Sequence, residues 1–191
     1  MGFNEVLEKV KEKSIELGVY PLGIEEAQIL YAIIFIYSIF KNCIKIVNIG
    51  TNCGYSILWM AKAIRDSGTD ECSVIIGIEK DSQKVKIVRE FIELTRFSYF
   101  TKVFESDVYE LLNTMVDLID IVLIDICTIR DLQCIKTIYQ KLKPGGLLIT
   151  YNIFKLPKNY VDKLFKEIHN SRKWVTTIIA TKSGLSISIK K

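Results

Sequence analysis

The sequence predicts an α/β fold: a mostly parallel sheet with helices on both faces, ending in a C-terminal antiparallel hairpin. Three observations predict it. From Lys45 onward, short β-branched runs alternate with helical segments, the pattern of repeated β-α-β units. The runs end in glycine-containing or acidic turns, where an open α/β sheet binds its ligands. The last two runs are joined only by Thr181-Lys182-Ser183-Gly184, a link too short for a crossover and suited to a hairpin.

Two helices are expected first. Phe3 to Leu17 places Val6, Leu7, Val10, Ser14, Ile15 and Leu17 at helical spacing, and Gly18 supplies a stop. After a turn at Pro21 to Gly23, Ile24 to Phe40 reads as a helix apolar nearly all round. Such a helix is buried on more than one side. It is either a core helix against the sheet or one shared with a second subunit. The second reading, a homodimer, is preferred because a domain of 191 residues rarely covers every face of one helix. The alternation then gives strands at Ile46 to Ile49, Ser73 to Ile78, Thr101 to Phe104, Ile119 to Ile124 and Gly146 to Thr150. Helices are expected at Tyr55 to Arg65, Ser82 to Arg96, Val108 to Met115, Ile129 to Leu142 and Pro157 to Asn170. Strands Trp174 to Ala180 and Leu185 to Ile189 complete the sheet. The expected organisation is one domain over 1–191, with N-terminal helices over 1–44 and an α/β core over 45–191.

Composition narrows the function classes. Hydrophobic residues at 49% and charged residues at 25% exclude a disordered or linker-dominated chain. A net charge of +4 is compatible with an anionic partner without requiring one. Ile29 to Phe40 is the longest apolar stretch, shorter than the roughly 20 residues a membrane span needs. The cysteines (Cys43, Cys53, Cys72, Cys127 and Cys134) include no C-x-x-C pair, so neither zinc nor a disulfide framework is expected. A cytoplasmic setting, with lone cysteines acting as small core hydrophobes, follows from that usage.

The chemistry lies at the strand ends. The first strand runs into Asn48-Ile49-Gly50-Thr51-Asn52-Cys53-Gly54-Tyr55-Ser56. Gly50 and Gly54 allow a tight turn and close approach to a ligand, and Asn52 tolerates a left-handed backbone. The dinucleotide pattern G-x-G-x-x-G is not met, since Asn52 and Tyr55 occupy its other glycine positions. A nucleoside without phosphates fits better. Glu79, after the second strand, can accept hydrogen bonds from both hydroxyls of a ribose. Asp107 and Val108 follow the third strand, where an adenine edge would be read, and Asp125 ends the fourth. Any one such acid is most often a solvated loop residue, but here they recur at successive strand ends.

Together these residues resemble class I S-adenosylmethionine-dependent methyltransferases, and within them the catechol and caffeoyl-CoA O-methyltransferase-like group. The resemblance runs through Asn48 to Ala61, Ile78-Glu79, Ser106-Asp107, Asp120 to Asp125, Leu142-Lys143-Pro144-Gly145-Gly146 and the final hairpin. It implies a Rossmann-like sheet of seven strands and S-adenosylmethionine as cofactor. It implies that Asn48 opens the cofactor-binding motif and that Gly50, Thr51, Gly54, Tyr55 and Ser56 line the methionine portion. Glu79 would hold the ribose, Asp107 and Val108 the adenine, and Asp125 would flank the reacting centre.

The sequence departs from that pattern at several positions. Asn48 stands where the family has an acid. The metal-dependent members hold Mg²⁺ with an Asp after strand four and an Asp-Asn pair after strand five; here Asp125 is matched and the pair reads Tyr151-Asn152. Asp125 and Asn152 alone make a weak metal site, so Mg²⁺ is not expected. The family's lysine three residues beyond the Asp is Thr128. Asp125 and Tyr151 are therefore the candidate catalytic residues, Tyr151 either orienting the acceptor or packing on the rim. His169 reads as a surface residue near a helix C-terminus. The basic stretch Lys155, Lys158, Lys163, Lys166, Arg172 and Lys173 reads first as a solvated helix face and second as an RNA contact. The leading expectation is O-methyl transfer to a small molecule; the alternatives are an RNA methyltransferase and a cofactor-binding protein without turnover.

Overall fold

The computed structural model describes residues 2–116, 118–129 and 131–191. Helices α1 (Phe3–Glu16) and α2 (Ile24–Lys41) precede a regular alternation of β1 (Lys45–Ile49), α3 (Tyr55–Asp66), β2 (Val74–Glu79), α4 (Ser82–Leu94), β3 (Thr101–Glu105), α5 (Val108–Thr114) and β4 (Ile119–Asp125). Then follow α6 (Gln133–Lys141), β5 (Leu142–Tyr151), α7 (Lys158–Ile168) and the hairpin of β6 (Trp174–Ile179) and β7 (Leu185–Lys190). The seven strands lie in the order β3-β2-β1-β4-β5-β7-β6. All pairings among β1 to β5 are parallel, and β7 runs antiparallel to both β5 and β6. The chain order reverses between β1 and β4, so the carboxyl ends of these two strands open the crevice in which α/β sheets bind ligands.

Alternating side chains divide the apolar core between the two faces of the sheet. Ile46 of β1, Ile121 and Leu123 of β4, and Leu147, Ile149 and Tyr151 of β5 join a cluster with residues of α1 to α4. Val47 and Ile49, Val122 and Ile124, and Leu148 face the other way, with residues of α5, α6 and α7. In α2, Ala27, Leu30 and Ile34 are fully buried while Ile36 and Phe40 are 54% and 83% exposed. The helix is thus a core element on one face and uncovered on the other.

Three expectations need correction. The predicted helix from Ile129 begins only at Gln133, because Asp125 caps a 3-10 turn at Ile126–Thr128 and Asp131 then accepts from the Gln133 amide at 2.9 Å. The fifth strand, expected from Gly146, starts at Leu142, and Lys143-Pro144-Gly145-Gly146 lies within it as a bulged excursion between the Ile119–Leu142 and Ile121–Leu147 pairings. Lys143 there binds the buried Asp120 carboxylate at 2.9 Å. The cysteines are not all lone hydrophobes. Cys43, after α2, and Cys72, before β2, form a disulfide on the exposed edge opposite the crevice, whereas Cys53 and Cys134 are buried free thiols. Their 29-residue separation hid the pairing, which arises because β1 and β2 enter the sheet side by side. Among the described residues, no helix is long and apolar enough to cross a membrane.

Candidate functional site

The loop between β1 and α3 is held to the end of β2 by backbone bonds: the Gly50 and Thr51 amides donate to the Ile78 carbonyl at 2.9 and 3.3 Å. At Gly50 the backbone is left-handed, with φ +75°, and a Cβ would fall 2.5 Å from Thr128 Oγ1. Only glycine fits both constraints. Asn52 is also left-handed, at φ 49°, as its residue type allowed.

That conformation lets Asn52 join two acids. Its backbone amide donates to Glu79 Oε2 at 3.0 Å, and its side-chain amide donates to Asp125 Oδ2 at 3.1 Å. Glu79 also accepts from the Lys80 and Asp81 amides at 2.9 and 3.1 Å through its other oxygen. A carboxylate offers about four lone-pair sites, so Glu79 retains capacity for a further donor. It is 7% exposed, at the rim of a cavity of about 310 Å³. Ile49, Gly50, Ile78, Ser106, Asp107, Val108, Tyr109, Thr128, Ile129 and Cys134 are among the residues that line this cleft. The walls are mainly apolar, with the acid at one end, the arrangement expected for a flat base and its sugar. Burial pushes the Cys134 thiol up to about 12, so it acts here as a neutral hydrophobe.

A second group of predicted residues lies beneath the loop, on the α3 face. Asn48, fully buried, accepts from Ser56 Oγ at 3.0 Å. Asp125 accepts at Oδ1 from the Asn152 side chain at 2.9 Å and from the Cys127 amide at 3.1 Å. Burial raises its carboxyl above the usual 3.8, and the donors from Asn152, Cys127 and Asn52 and the charge of Lys155 offset part of that effect. Tyr151 is buried beside Asp125 and Ser56, and burial, with the Asp125 charge adding to it, raises its phenol well above 10.0. Among the described residues, the buried polar atoms Asn48 Nδ2, Thr51 Oγ1 and Asn152 Oδ1 have no hydrogen-bond partner.

The predicted residues thus separate into two sets. Gly50, Glu79, Asp107 and Val108 line the cleft. Asn48, Ser56, Asp125 and Tyr151 form the polar floor, while Tyr55 turns toward the N-terminal helices and packs edge-on against Trp59. Thr51 and Gly54 shape the loop between the two sets, the Gly54 amide donating to the Thr51 carbonyl at 2.9 Å. Tyr151 is 3% exposed, so it meets the site through its neighbours and not as an open acceptor wall. Sequence reasoning missed the bridging by Asn52 and the apolar lining from Tyr109, Ile129 and Cys134. Nothing in their residue types marked them; only the positions of α5 and α6 over the strand ends do.

A model of a methyltransferase domain matches residues 47–153, more than half of the chain. The chain belongs to this methyltransferase family. The matched span contains the carboxyl ends of β1 and β4, which open the crevice. Solved structures share the methyltransferase domain's fold across nearly its whole length. A methyltransferase from Geobacter sulfurreducens is 18% identical with a TM-score of 0.80, covering 97% of this chain and 88% of its own. An O-methyltransferase from Bacillus cereus, solved with SAH, is 16% identical with a TM-score of 0.79, covering 98% and 91%. The O-methyltransferase TomG from Streptomyces achromogenes, involved in tomaymycin synthesis and solved with SAM, is 15% identical with a TM-score of 0.81, covering 98% and 90%. Comparison with curated proteins gives no match.

Proposed function

We propose that the protein is an S-adenosylmethionine-dependent O-methyltransferase acting on a small molecule. The observation that carries this reading is the cleft at the β1–β4 switch point, with Glu79 at its rim and a glycine at its closest approach. The O-methyltransferases that share the fold and were solved with SAH or SAM support it. The donor set fits the cofactor. Glu79 would hold the ribose hydroxyls, Asp107 and Val108 the adenine, and the loop from Gly50 to Ser56 the methionine portion. Thr51 Oγ1, buried without a partner in that loop, is a polar atom available to it. When bound, the cofactor supplies an electrophilic methyl group. The chain's own task is then to align an acceptor oxygen and exclude water.

The residues do not fit a divalent cation. Mg²⁺ favours oxygen ligands in octahedral array, but both oxygens of Asp125 accept from amides, and Asn152 turns its donating nitrogen toward that carboxylate. Tyr151 replaces the second acid, and among the described residues no group of three or more His, Cys, Asp or Glu gathers. Asp125 and Tyr151 act in this reading by fixing the floor beneath the reacting centre. We also assign a homodimer through the uncovered face of α2, where Ile36, Ile39 and Phe40 are exposed.

Calorimetric titration with S-adenosylhomocysteine tests the reading. Micromolar binding to the wild-type chain, weakened about tenfold or more in Glu79→Gln, is the expected result. Absence of binding, or an unchanged affinity in Glu79→Gln, would overturn it.

A further inference from the structure

A second cavity, of about 390 Å³, lies away from the crevice. Helix α3 leaves the carboxyl end of β1 and α4 leaves that of β2, so both finish at the opposite edge of the sheet. The cavity opens there, between the last turns of α3 and α4 and the first turn of α1. Its volume falls within the roughly 300–1,000 Å³ of small-molecule sites. None of its lining residues is shared with the nucleoside cleft.

Two kinds of side chain form its walls. Phe3, Val6 and Leu94 give an apolar side, and Lys62, Arg65 and Arg96 bring three cations. The cations are positioned by the fold. Arg65 donates from Nη2 to the Arg96 carbonyl at 2.8 Å, its Nε lies 3.0 Å from Asp70 Oδ2, and its guanidinium sits 5.0 Å over the Phe97 ring. A guanidinium carries five N–H donors, so Arg65 retains donors beyond these bonds. Lys62 Nζ lies 5.5 Å over the Phe3 ring. The one acid in the wall, Asp66, is already engaged, accepting from Lys62 Nζ at 2.6 Å and from Tyr31 Oη at 2.7 Å. Lys62 and Arg65 thus have acidic partners. Among the described residues, the Arg96 side chain has neither an ion pair nor a hydrogen bond.

Arg96 also stands where the backbone least favours it. After α4 its amide donates to the Glu93 carbonyl at 2.9 Å, and the Phe97 amide donates to the Ile92 carbonyl at 3.0 Å. This is a Schellman ending, whose left-handed position is usually glycine. Arg96 holds that position at φ 58°. A Cβ makes the conformation costly, so glycine would serve the turn better. Strain of this kind persists where a function holds it, and here it carries an uncommitted charge on the wall of a cavity.

We infer that this cavity binds a small organic oxyanion, a phosphate or carboxylate whose charged group lies among Arg96, Arg65 and Lys62 and whose apolar part lies on Phe3, Val6 and Leu94. The planar fork of arginine suits both oxyanions, and the apolar side favours an organic anion over the bare ion. The site stands apart from methyl transfer and does not depend on the cofactor reading.

Calorimetric titration of phenyl phosphate, benzoate, inorganic phosphate and benzyl alcohol onto the full chain tests it, each with excess S-adenosylhomocysteine present. At least one of the two aromatic anions is expected to bind about tenfold more tightly than inorganic phosphate or benzyl alcohol. Arg96→Gly should weaken that binding about tenfold, and Arg96→Lys, which keeps the charge, by no more than about threefold. Because glycine suits the left-handed backbone, Arg96→Gly should keep or raise the melting temperature, so its loss of binding is not a loss of folding. The tighter of the two anions identifies the charged group as phosphate or carboxylate. Failure of both to bind, affinity indifferent to Arg96→Gly, or equal binding of the neutral alcohol or of the bare ion overturns the inference. S-adenosylhomocysteine affinity should be the same in all three proteins, so the cofactor reading stands or falls separately.

Discussion

Asn152 donates from its side-chain amide to Asp125 Oδ1 at 2.9 Å, joining the ends of β5 and β4 across the crevice. Asn152 does so from a left-handed backbone at φ 65°, which Asp tolerates as well as Asn. Asn152→Asp therefore isolates the effect of exchanging a donor for a charge. The variant is expected to lose about 1–3 kcal/mol at neutral pH, because two carboxylates face one another in a buried site. Urea denaturation should show the deficit shrinking on mild acidification, as one of the pair takes up a proton. A deficit independent of pH would remove the charge argument.

Gly50 gives a second prediction. Alanine there meets the left-handed backbone and the Thr128 side chain together. Gly50→Ala is expected to cost about 1–2 kcal/mol from the backbone alone and to weaken S-adenosylhomocysteine binding. Adding Thr128→Gly should restore part of the melting temperature, since it relieves the contact and leaves the backbone cost. Full recovery would show that the conformation at position 50 is not strained for alanine.

Two buried carboxylates should impose opposite pH dependences on stability. Burial holds the Asp125 carboxyl above 3.8, so the folded state binds its proton more tightly than the unfolded chain. Its contribution is present below about 3.8 and is lost as pH rises through the raised value. Burial also acts to raise Glu26, but hydrogen bonds from the Ser183 hydroxyl and backbone amide help to outweigh it and hold the group below 4.5. Its contribution is present above about 4.5 and is lost as pH falls through the lowered value. Stability of Asp125→Asn relative to wild type should thus improve from acid to neutral pH, while that of Glu26→Gln should worsen. Denaturation curves across the acid range that ran parallel for both variants would contradict the assignments.

The Cys43–Cys72 bond closes a loop over a sequence separation of 29 residues. Constraint of the unfolded chain over such a loop corresponds to about 3–4 kcal/mol. Paired serine substitution, or dithiothreitol, is expected to lower the melting temperature by several degrees. The bond lies on the edge opposite the crevice, so cofactor affinity should be unaffected. Equal melting with and without reductant would show that the cross-link does not constrain the unfolded ensemble.

The uncovered face of α2 gives the fifth. Sedimentation equilibrium of the wild type is expected to report a dimer, and Ile36→Lys with Phe40→Glu a monomer of unchanged cofactor affinity. A monomeric wild type would assign that face to some other role.

Much of the architecture was legible because alternating burial imposes its period on sequence. Ile119 to Asp125 is buried at every residue, as a central parallel strand requires, and its Ile121 to Ile124 stretch reads as a continuous apolar run. Gly50, Glu79, Asp107 and Val108 were legible because their residue types follow strand ends, where the fold puts ligands. Local pattern did not show which acid would be tied to which amide. The bridge from Glu79 through Asn52 to Asp125 spans 73 residues between its side-chain partners and depends on sheet order. The disulfide was hidden for the same reason. The bulge at Lys143 to Gly146 was not legible because its proline and glycines equally mark the gap between a helix and the strand after it.

The bond between Glu26 and Ser183 joins groups 157 positions apart, near opposite ends of the covalent chain. Every residue lining the nucleoside cleft, by contrast, has been synthesised once Cys134 is in place. The chain thus completes the lining of that cleft before it makes the contact that ties α2 to the turn of the terminal hairpin.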